Sequence, residues 1–417
     1  NAATRNATDA LALIGTIDGA LEESGEILLR MRELAVQSAS DTNTGTDRSF
    51  IQDEINALNN ELNRISSSTE FNSVKLLDGT YNNKQIQIGT GANQVFNIGV
   101  TATDSSTLGA YELESVAEIT ASSGTASAAA ATTALTNALA DAADYTVKGS
   151  FGSATVKVDA GADARDVAKS FNLSAGTTGI NATAITKASI TGLGKATTIS
   201  FTLQGKSTSA STVNATVDST SNLTALKDAI NSVSGATGIS ASLTTDLSGI
   251  NLVQQEGYDI VIGDVTTSHA SGTMTIKVAD KAGTAQGTEQ TLKGFTTADD
   301  SVAMVGQVSL SSHKAFTVAS GNAANHFATD TSAQTSTLQS MGAVDISSQT
   351  GATKALSVID GAIAMISEVR SEMGAAENRL TSTVDNLSNV SVNTQRSLTA
   401  VEDANFASET SALTKAQ

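Results

Sequence analysis

The side chains that could carry acid–base or metal chemistry are few in this sequence. Its three histidines are His269, His313 and His326, and it has no cysteine. No H-E-x-x-H pair places two metal ligands on one helix face, and no G-x-x-x-x-G-K-[ST] loop is present to bind phosphates. A serine–histidine–carboxylate site stays open in so serine-rich a chain, but no spacing indicates one. We therefore predict no catalytic residues, no cofactor and no metal site.

One cluster of carboxylates, in the stretch DAGADARD, could bind calcium. Asp159, Asp163 and Asp166 are spaced four and three residues apart, which differs from the alternating ligands and terminal glutamate of an EF-hand loop. The spacing fits the start of a helix better. We predict that Asp163 caps this helix, that Asp166 complements its dipole, and that Asn222 caps a similar helix later in the chain. A calcium site is the alternative.

The stretch LLRMRELAVQSAS, residues 28–40, combines charged and aliphatic side chains in one predicted helix. Some of its residues face an apolar seam on a helical wheel: Leu28, Met31 and Ala35. Others point nearly opposite: Arg30, Glu33 and Gln37. Leu34 lies on the flank, and Glu26 is placed to pair with Arg30 at i,i+4. This outward face is either solvated surface or a contact surface for another molecule.

Composition restricts the possible functions. The 417 residues carry 42 Asp+Glu against 24 Lys+Arg, and this net charge of -18 argues against binding to nucleic acid or to an anionic membrane. No run of about 18 apolar residues is present, so we predict no membrane span, and no signal peptide is recognisable. The absence of proline favours long uninterrupted helices.

Both ends of the chain carry helical periodicity. From about Ala352 to Ala416 apolar residues recur every seven positions: Ile359, Ile366, Met373, Leu380, Leu387 and Val401. A first N-terminal helix has its own seam: Ala10, Ile14, Ile17, Leu21, Leu28, Met31 and Ala35. A second, capped by Asp47 or Thr46, has another: Ile51, Ile55, Leu58, Leu62 and Ile65. We predict an antiparallel bundle of these three helices, and we expect the chain to be a fragment trimmed at both ends.

The periodicity between the ends is that of strands. Alternating apolar residues over 86–100 predict a β-hairpin, and stretches such as YTVKGS, ATVKVD, TISFTLQG and TMTIKVAD predict further strands. The segment ADARDVAKSFNLSAGTTGINA aligns with SNLTALKDAINSVSGATGISA at an offset of 59 residues. Each copy has the pattern of a short helix, a glycine stop and a strand.

These patterns predict an α+β multidomain fold, in which a long antiparallel α-helical bundle with a β-hairpin carries inserted small α+β or β-rich outer domains. The bundle is a discontinuous domain of residues 1–100 and 346–417. Residues 101–345 form the inserted outer region, with the internal repeat at about 162–190 and 221–252.

At both ends the chain resembles bacterial flagellin. The N-terminal resemblance is carried by RMRELAVQSAS and IQDEINALNNELNRISSSTEFNSVKLLDG, and the C-terminal one by ALSVIDGAIAMISEVRSEMGAAENRLTSTVDNLSNV and RSLTAVEDANFASETSALTKAQ. It covers about 1–100 and 340–417, and the repeat between them is similar to an insert of flagellins and hook-associated proteins. The resemblance implies a secreted, non-enzymatic subunit that self-assembles into the extracellular flagellar filament for motility.

The resemblance also implies partners. They are other copies of the subunit, the flagellar type III export apparatus with its chaperone, and a host flagellin-sensing Toll-like receptor. In flagellins the face that matches residues 28–40 packs against a neighbouring subunit and is gripped by that receptor. The implied contacts are Arg30, Glu33, Leu34, Gln37 and Glu54. Two alternatives stay open: a flagellin-like cell-surface protein whose middle region binds a polysaccharide, and a hook–filament junction protein.

Overall fold

The computed structural model describes residues 2–89, 93–115, 118–121, 143–207, 209–269, 271–294, 300–321, 327 and 332–417. The chain divides into two compact units. The first comprises Asn1–Gly109, Ser340–Ser347 and Val358–Gln417, and the second comprises Ala110–Gln339 and Ser348–Ser357.

The described helices and strands are numbered separately, each in chain order. The helices are α1 (Ala2–Ala39), α2 (Gly45–Ser68), α3 (Ala164–Leu173), α4 (Ala175–Thr178), α5 (Thr224–Ser232), α6 (Ser234–Thr237) and α7 (Gln349–Ala416), with a 3₁₀ turn at Met341–Ala343. The strands are β1 (Glu70–Phe71), β2 (Val74–Lys75), β3 (Lys84–Gln87), β4 (Val95–Ile98), β5 (Gly109–Glu114), β6 (Glu118–Ala121), β7 (Ala143–Lys148), β8 (Ser153–Val158), β9 (Asn181–Leu193), β10 (Thr197–Gln204), β11 (Ser211–Val217), β12 (Ile239–Leu243), β13 (Ile250–Gln254), β14 (Ile260–Thr267), β15 (Thr273–Ala279), β16 (Ala285–Lys293), β17 (Val302–Val305), β18 (Gln307–Ser312), β19 (Thr317–Ser320), β20 (Gln334–Thr335) and β21 (Thr337–Ser340).

The first unit is built on α1, α2 and α7. The predicted seam of α1 is confirmed, because each of its members is buried: Ala10, Ile14, Ile17, Leu21, Leu28, Met31 and Ala35. In α2 the seam is buried except for Leu58, which is half-buried. In α7 the seam is buried from Ile359 to Leu380, but Leu387 is half-buried and Val401 is exposed. The predicted seam of α7 is therefore covered only in its first half.

The helices run antiparallel, as predicted. Arg30 and Arg48 each bond across the α1–α2 pair, Arg30 to Glu54 and Arg48 to the Ser38 carbonyl, so the chain directions oppose each other. The ion pairs Arg32–Asp360 and Asp18–Arg370 show that α1 and α7 also run antiparallel.

The start of α2 differs from the prediction. Its N-cap is Thr44 rather than Thr46 or Asp47. The Thr44 hydroxyl accepts a hydrogen bond from the Asp47 N–H at 3.2 Å, and the Asp47 carboxylate accepts one from the Thr44 N–H at 2.9 Å. This reciprocal pair is a capping box, which requires the cap three residues before the acidic partner. The Thr44 hydroxyl also donates to the Asp47 carboxylate at 2.7 Å, and this bond, followed by that from the Thr44 N–H, lowers the pKa of Asp47.

Two short hairpins complete the first unit. β1 and β2 are joined by Asn72 and Ser73, both with positive φ (49° and 64°), as a type I′ turn requires. The predicted hairpin over 86–100 is confirmed, since β3 and β4 pair with Ile86 opposite Phe96. Residues 90–92 of its predicted GTGAN turn lie outside the described residues.

The described strands of the second unit form three sheets. A five-stranded sheet has the order β11-β10-β14-β17-β6, and a four-stranded sheet the order β20-β19-β7-β8. The largest has the order β12-β13-β9-β18-β5-β21, with β15 pairing β9 and β16. β9 holds it together: it pairs β13 on one side, and β18 and then β15 on the other.

Two successive segments of the second unit fold alike, β7-β8-α3-α4-β9 and β10-β11-α5-α6-β12. In each, an asparagine exchanges two hydrogen bonds of 2.8 Å with one backbone position of the following strand: Asn172 with Ala182, and Asn231 with Ala241. The short second helix ends in both at a left-handed glycine, Gly179 (φ 73°) and Gly238 (φ 70°). The likeness includes a β-hairpin before each helix, which the sequence alignment does not contain.

Each segment has its own core. That of the first is aromatic, with Tyr145, Phe171 and Phe327 in mutual ring contact at centroid distances of 5.5 to 5.8 Å. The second is mainly aliphatic, and Leu226 and Ile230 of α5 pack with Phe201 of β10. Amphipathic helices on a sheet face thus bury the apolar positions that alternate along the strands.

Candidate contact surface

The charged residues of the predicted contact face meet at the surface between α1 and α2. The Arg30 guanidinium donates from Nε and Nη2 to Glu54 Oε1 at 3.0 and 2.9 Å, and its Nη1 lies 3.1 Å from Glu33 Oε2. These side chains are 50% (Arg30), 70% (Glu33) and 45% (Glu54) exposed. Gln37, one turn beyond Glu33, is also exposed. Arg30, Glu33 and Glu54 are called the Arg30 cluster below.

Hydrogen bonds within the Arg30 cluster favour the charged form of Arg30. The bond to Glu54, and then that to Glu33, raises the pKa of Arg30. The predicted pair with Glu26 is wrong, because Arg30 takes its carboxylate partners from Glu33 and, across the helix pair, from Glu54. Exposed ion pairs contribute little to stability, so the cluster is not what holds the helices together.

Leu34 is not on an exposed flank, and this expectation is corrected. The residue is 2% exposed and extends a second buried row of α1 that includes Ile27 and Ser38. The physical reason is that α1 is covered from more than one side. Helix α1 bonds to α2 and α7, and it also contacts the segment before α7, because the Ser38 hydroxyl donates to the Ile346 carbonyl at 2.6 Å. Leu34 therefore belongs to the interior of the isolated chain, where no partner reaches it.

Buried polar contacts fix the position of α2 beside this face. Gln52 accepts from the Ile346 N–H at 2.7 Å, and Asn59 donates to the Met341 carbonyl at 3.1 Å. Both contacts join α2 to the segment before α7, so the chain's two distant ends are tied together by backbone-directed bonds. The sequence pattern gives no sign of them, because Asn59 stands among ordinary polar helix residues.

Exposed apolar residues border the Arg30 cluster, and the sequence pattern does not single them out. Leu29 and Val36 on α1 are 54% and 51% exposed, and Phe50 on α2 is 67% exposed. Phe50 lies between the two cross-links Arg48–Ser38 and Glu54–Arg30. Its signal in the sequence is an aromatic residue one position outside the α2 seam.

The second half of α7 presents another exposed apolar surface. Beyond Leu380 the large apolar side chains are mostly solvent-accessible, with exposures from 47% to 73%: Val390, Val392, Leu398, Val401, Phe406 and Leu413. We call these six residues the α7 apolar set. A helix of this length is stable in water chiefly through packing of an apolar face, and the described chain offers this half little packing.

The described histidines, which could carry acid–base or metal chemistry, contact neighbouring residues. His269 is exposed and accepts from the Ser271 N–H at 3.2 Å, and His313 lies against the Phe151 ring at 5.9 Å. His326 lies outside the described residues. Across the described ranges, no group of three or more His, Cys, Asp or Glu side chains is arranged to hold a metal ion.

Asp163 caps α3, as predicted, by accepting from the Asp166 N–H at 2.8 Å. Burial raises the pKa of its carboxyl group, against the lowering effect of that bond. The prediction for Asn222 is wrong in position: its side chain accepts from the Thr224 N–H at 3.0 Å, but the N-cap of α5 is Leu223.

Comparison with known proteins gives matches to family models at both ends of the chain and within its second unit. Residues 1–82 match the bacterial flagellin N-terminal helical region, 356–417 the bacterial flagellin C-terminal helical region, and 198–255 the flagellin hook IN motif. Over 420 aligned residues, covering all of this chain and 82% of the relative, the chain is 32% identical to the B-type flagellin of Pseudomonas aeruginosa. The chain belongs to the bacterial flagellin family.

This flagellin is a structural subunit of the bacterial flagellar filament, an extracellular polymer. Flagellin C of Vibrio anguillarum is 26% identical over 417 residues, 77% of its own length. A flagellin of Clostridium tyrobutyricum is 60% identical over 80 residues, which cover 19% of this chain and 21% of that protein. The Pseudomonas aeruginosa and Vibrio anguillarum flagellins align along the whole of this flagellin, and the expectation of a trimmed fragment is not confirmed. Among the described helices, none is long and apolar enough to cross a membrane.

Solved structures that match this chain include FliC of Burkholderia pseudomallei, at 16% identity and a TM-score of 0.35, covering 88% of this chain and 99% of that one. FlgL of Xanthomonas campestris has 12% identity and a TM-score of 0.38, covering 95% and 96%. Both TM-scores are low, and the family assignment rests on the sequence matches. The hook IN motif matches the second of the two similar segments.

Proposed function

We propose that this flagellin joins the filament through two surfaces of its first unit: the Arg30 cluster with Gln37, and the α7 apolar set. The observation that carries the proposal is the exposure of the α7 apolar set, which leaves six large apolar side chains in water. Exposed apolar surface of this extent marks a protein interaction site. Removing it from water would favour assembly.

The Arg30 cluster supplies selectivity in this proposal. Its fixed charges and its rim of Leu29, Val36 and Phe50 combine the polar and aromatic features typical of protein interfaces. Leu34 contributes from beneath by holding α1 in place. We further propose that residues 1–100 with 346–417 act as the assembling core and that 101–345 form the outer region.

Seeded growth tests the proposal. Purified flagellin is added to sheared filament fragments of the same bacterium, and elongation is followed by electron microscopy. We expect growth from the seeds, and non-motile cells when the gene is deleted. The proposal fails if the seeds do not elongate and the deletion strain still swims with normal filaments.

Two further partners belong to this proposal. The flagellar type III export apparatus and its chaperone would deliver the chain unfolded, and the lack of cysteine and proline avoids disulfide traps and slow isomerisation on refolding. The Toll-like receptor of a host would contact the Arg30 cluster in the free subunit. Support for both is the family membership, and for the receptor also the exposure of Arg30, Gln37 and Glu54.

The alternative of a polysaccharide-binding middle region gains little support. Sugars bind well on exposed aromatic faces, but Tyr145 is fully buried, and the ring of Tyr258 is covered by the Arg165 guanidinium at 4.3 Å. Tyr111 is half-buried. We therefore favour an outer region whose described tyrosines offer no such platform, although Phe151 is 64% exposed.

A further inference from the structure

The outer edge of the five-stranded sheet is an unprotected strand. β11 pairs with β10 over seven residues without a register shift and is the last strand on its side of the sheet. Its sequence, STVNATV, contains no charge and no proline. Within the described part of the chain, no backbone hydrogen bond reaches its outward side. Exposed edges usually carry a charge, a proline or a bulge, because their free N–H and C=O groups invite another strand.

The first of the two similar segments has such protection. β8 is the corresponding edge strand, at the end of the four-stranded sheet. In each hairpin an aromatic residue lies opposite a valine, Tyr145–Val156 in the first and Phe201–Val213 in the second. The next residue is the exposed Lys157 in β8 and the exposed Asn214 in β11. The second segment thus lacks the lysine that guards the edge of the first.

β11 is also complementary to itself. Its polar residues are exposed on one face of the sheet: Thr212, Asn214 and Thr216. Its apolar residues are buried on the other: Val213, Ala215 and Val217. When two copies run antiparallel with Asn214 opposite Asn214, Thr212 lies opposite Thr216 and Val213 opposite Ala215. Polar residues then meet polar ones and no like charges face each other, which favours cross-strand pairing.

We propose that β11 is a pairing edge for a second copy of this chain, and that two copies join their five-stranded sheets into one across an antiparallel β11–β11 contact. Self-complementarity identifies the occupant, because a strand without charge can pair with itself where most of this acidic chain would repel its own copy. The contact is two-fold and closes on itself, so it does not need the polymer. It is small, and it strengthens where subunits are held at high local concentration.

A single introduced cysteine tests the contact, because the chain has none of its own. The Asn214→Cys chain is treated with a short bismaleimide over a range of protein concentrations. Dimer is measured on denaturing gels, and the linked peptides are mapped by mass spectrometry. The matched control is Thr198→Cys, exposed on β10, one strand further in. We expect 214–214 dimer that increases with concentration, and only background dimer from the control.

A guarded variant adds a second readout. Asn214→Cys combined with Thr212→Lys and Thr216→Lys places like charges opposite each other and should reduce dimer to the Thr198→Cys background. Circular dichroism verifies its fold, and the two cysteine chains without lysines give a result even if it unfolds. Equal dimer from residues 214 and 198, or dimer that resists the lysines in a folded chain, overturns the proposal. Filament growth of the same flagellin is scored separately, so loss of this contact leaves the filament function untouched.

Discussion

Arg30 and Leu34 lie one turn apart on α1 and contribute to the subunit in different ways. Arg30 is half exposed, and its ion pairs with Glu33 and Glu54 are open to water, where such pairs add little to folding. Leu34 is 2% exposed, and full burial of a leucine contributes roughly 1.5–3 kcal/mol. A contact face on α1 is therefore a thin polar layer supported by a buried aliphatic one.

This difference gives a prediction for single substitutions. Leu34→Ala should destabilise the folded chain by about 2–5 kcal/mol, because it removes a buried side chain and leaves a cavity. Arg30→Ala should leave the melting temperature close to that of the parent but slow elongation of filament seeds. Calorimetry and seeded growth measure the two effects. Glu26→Ala, on the same helix and outside any described ion pair, is the control for a lost exposed charge.

A large fall in melting temperature on Arg30→Ala would instead place the Arg30 cluster in the folding energetics. Elongation at the parent rate would remove it from the filament contact. The outward position of Arg30, Glu33 and Gln37 could be predicted from the helical wheel. The burial of Leu34 could not, because a wheel shows one seam and does not reveal that α1 is covered from several sides.

At the scale of elements, local chemistry could be predicted better than the extent of packing. The heptads of α7 predict one helix over its whole length, and this is confirmed to within a few residues. The same heptads predict a continuous seam, yet burial stops at Leu380. Periodicity reports which face is apolar and not what covers it. Likewise, the predicted caps Thr46 and Asp47 lie close to the true start of α2, whereas the capping residue itself, Thr44, depends on which hydrogen bonds form.

The cap of α2 supplies the prediction at this scale. Thr44→Ala removes the hydroxyl that accepts from the Asp47 N–H and should cost about 1 kcal/mol. Thr46→Ala is the matched control, since Thr46 is exposed within the first turn and makes no cap. Chemical denaturation of both variants measures the difference. Equal stabilities, or a larger loss for Thr46→Ala, would contradict the capping box.

On the scale of the whole molecule, two units solve different problems with one chain. The first gathers sequence from both ends around three helices, held by bonds such as Gln52 to Ile346 and Asn59 to Met341. The second repeats a hairpin–helix–strand segment, each with its own core. The repeat was visible in the sequence because the asparagine and the left-handed glycine recur in both copies. The repetition of the hairpin was not visible, because the alternating Ser, Thr and Val patterns of its strands differ residue by residue between the two copies.

The exposed half of α7 yields the prediction for the whole subunit. Helices in proteins gain most of their stability from packing of an apolar face. Backbone amides beyond Leu380 should therefore exchange with deuterium much faster in the free subunit than those around Ile359–Met373, whose apolar side chains are buried. In filaments the same amides should become protected, because the α7 apolar set would then be covered. Hydrogen exchange with mass spectrometry on free and assembled protein compares the two states.

Each possible result of that exchange experiment has a different physical meaning. Strong protection beyond Leu380 in the free subunit would mean that the helix is held by something other than apolar packing. Fast exchange that persists in the filament would mean that the α7 apolar set stays in water and that assembly uses other surfaces. Protection that appears only on assembly is expected of a helix whose apolar side is completed by neighbouring subunits. This part of the helix would then have low local stability in the free subunit and would be stabilised only when the subunit is incorporated.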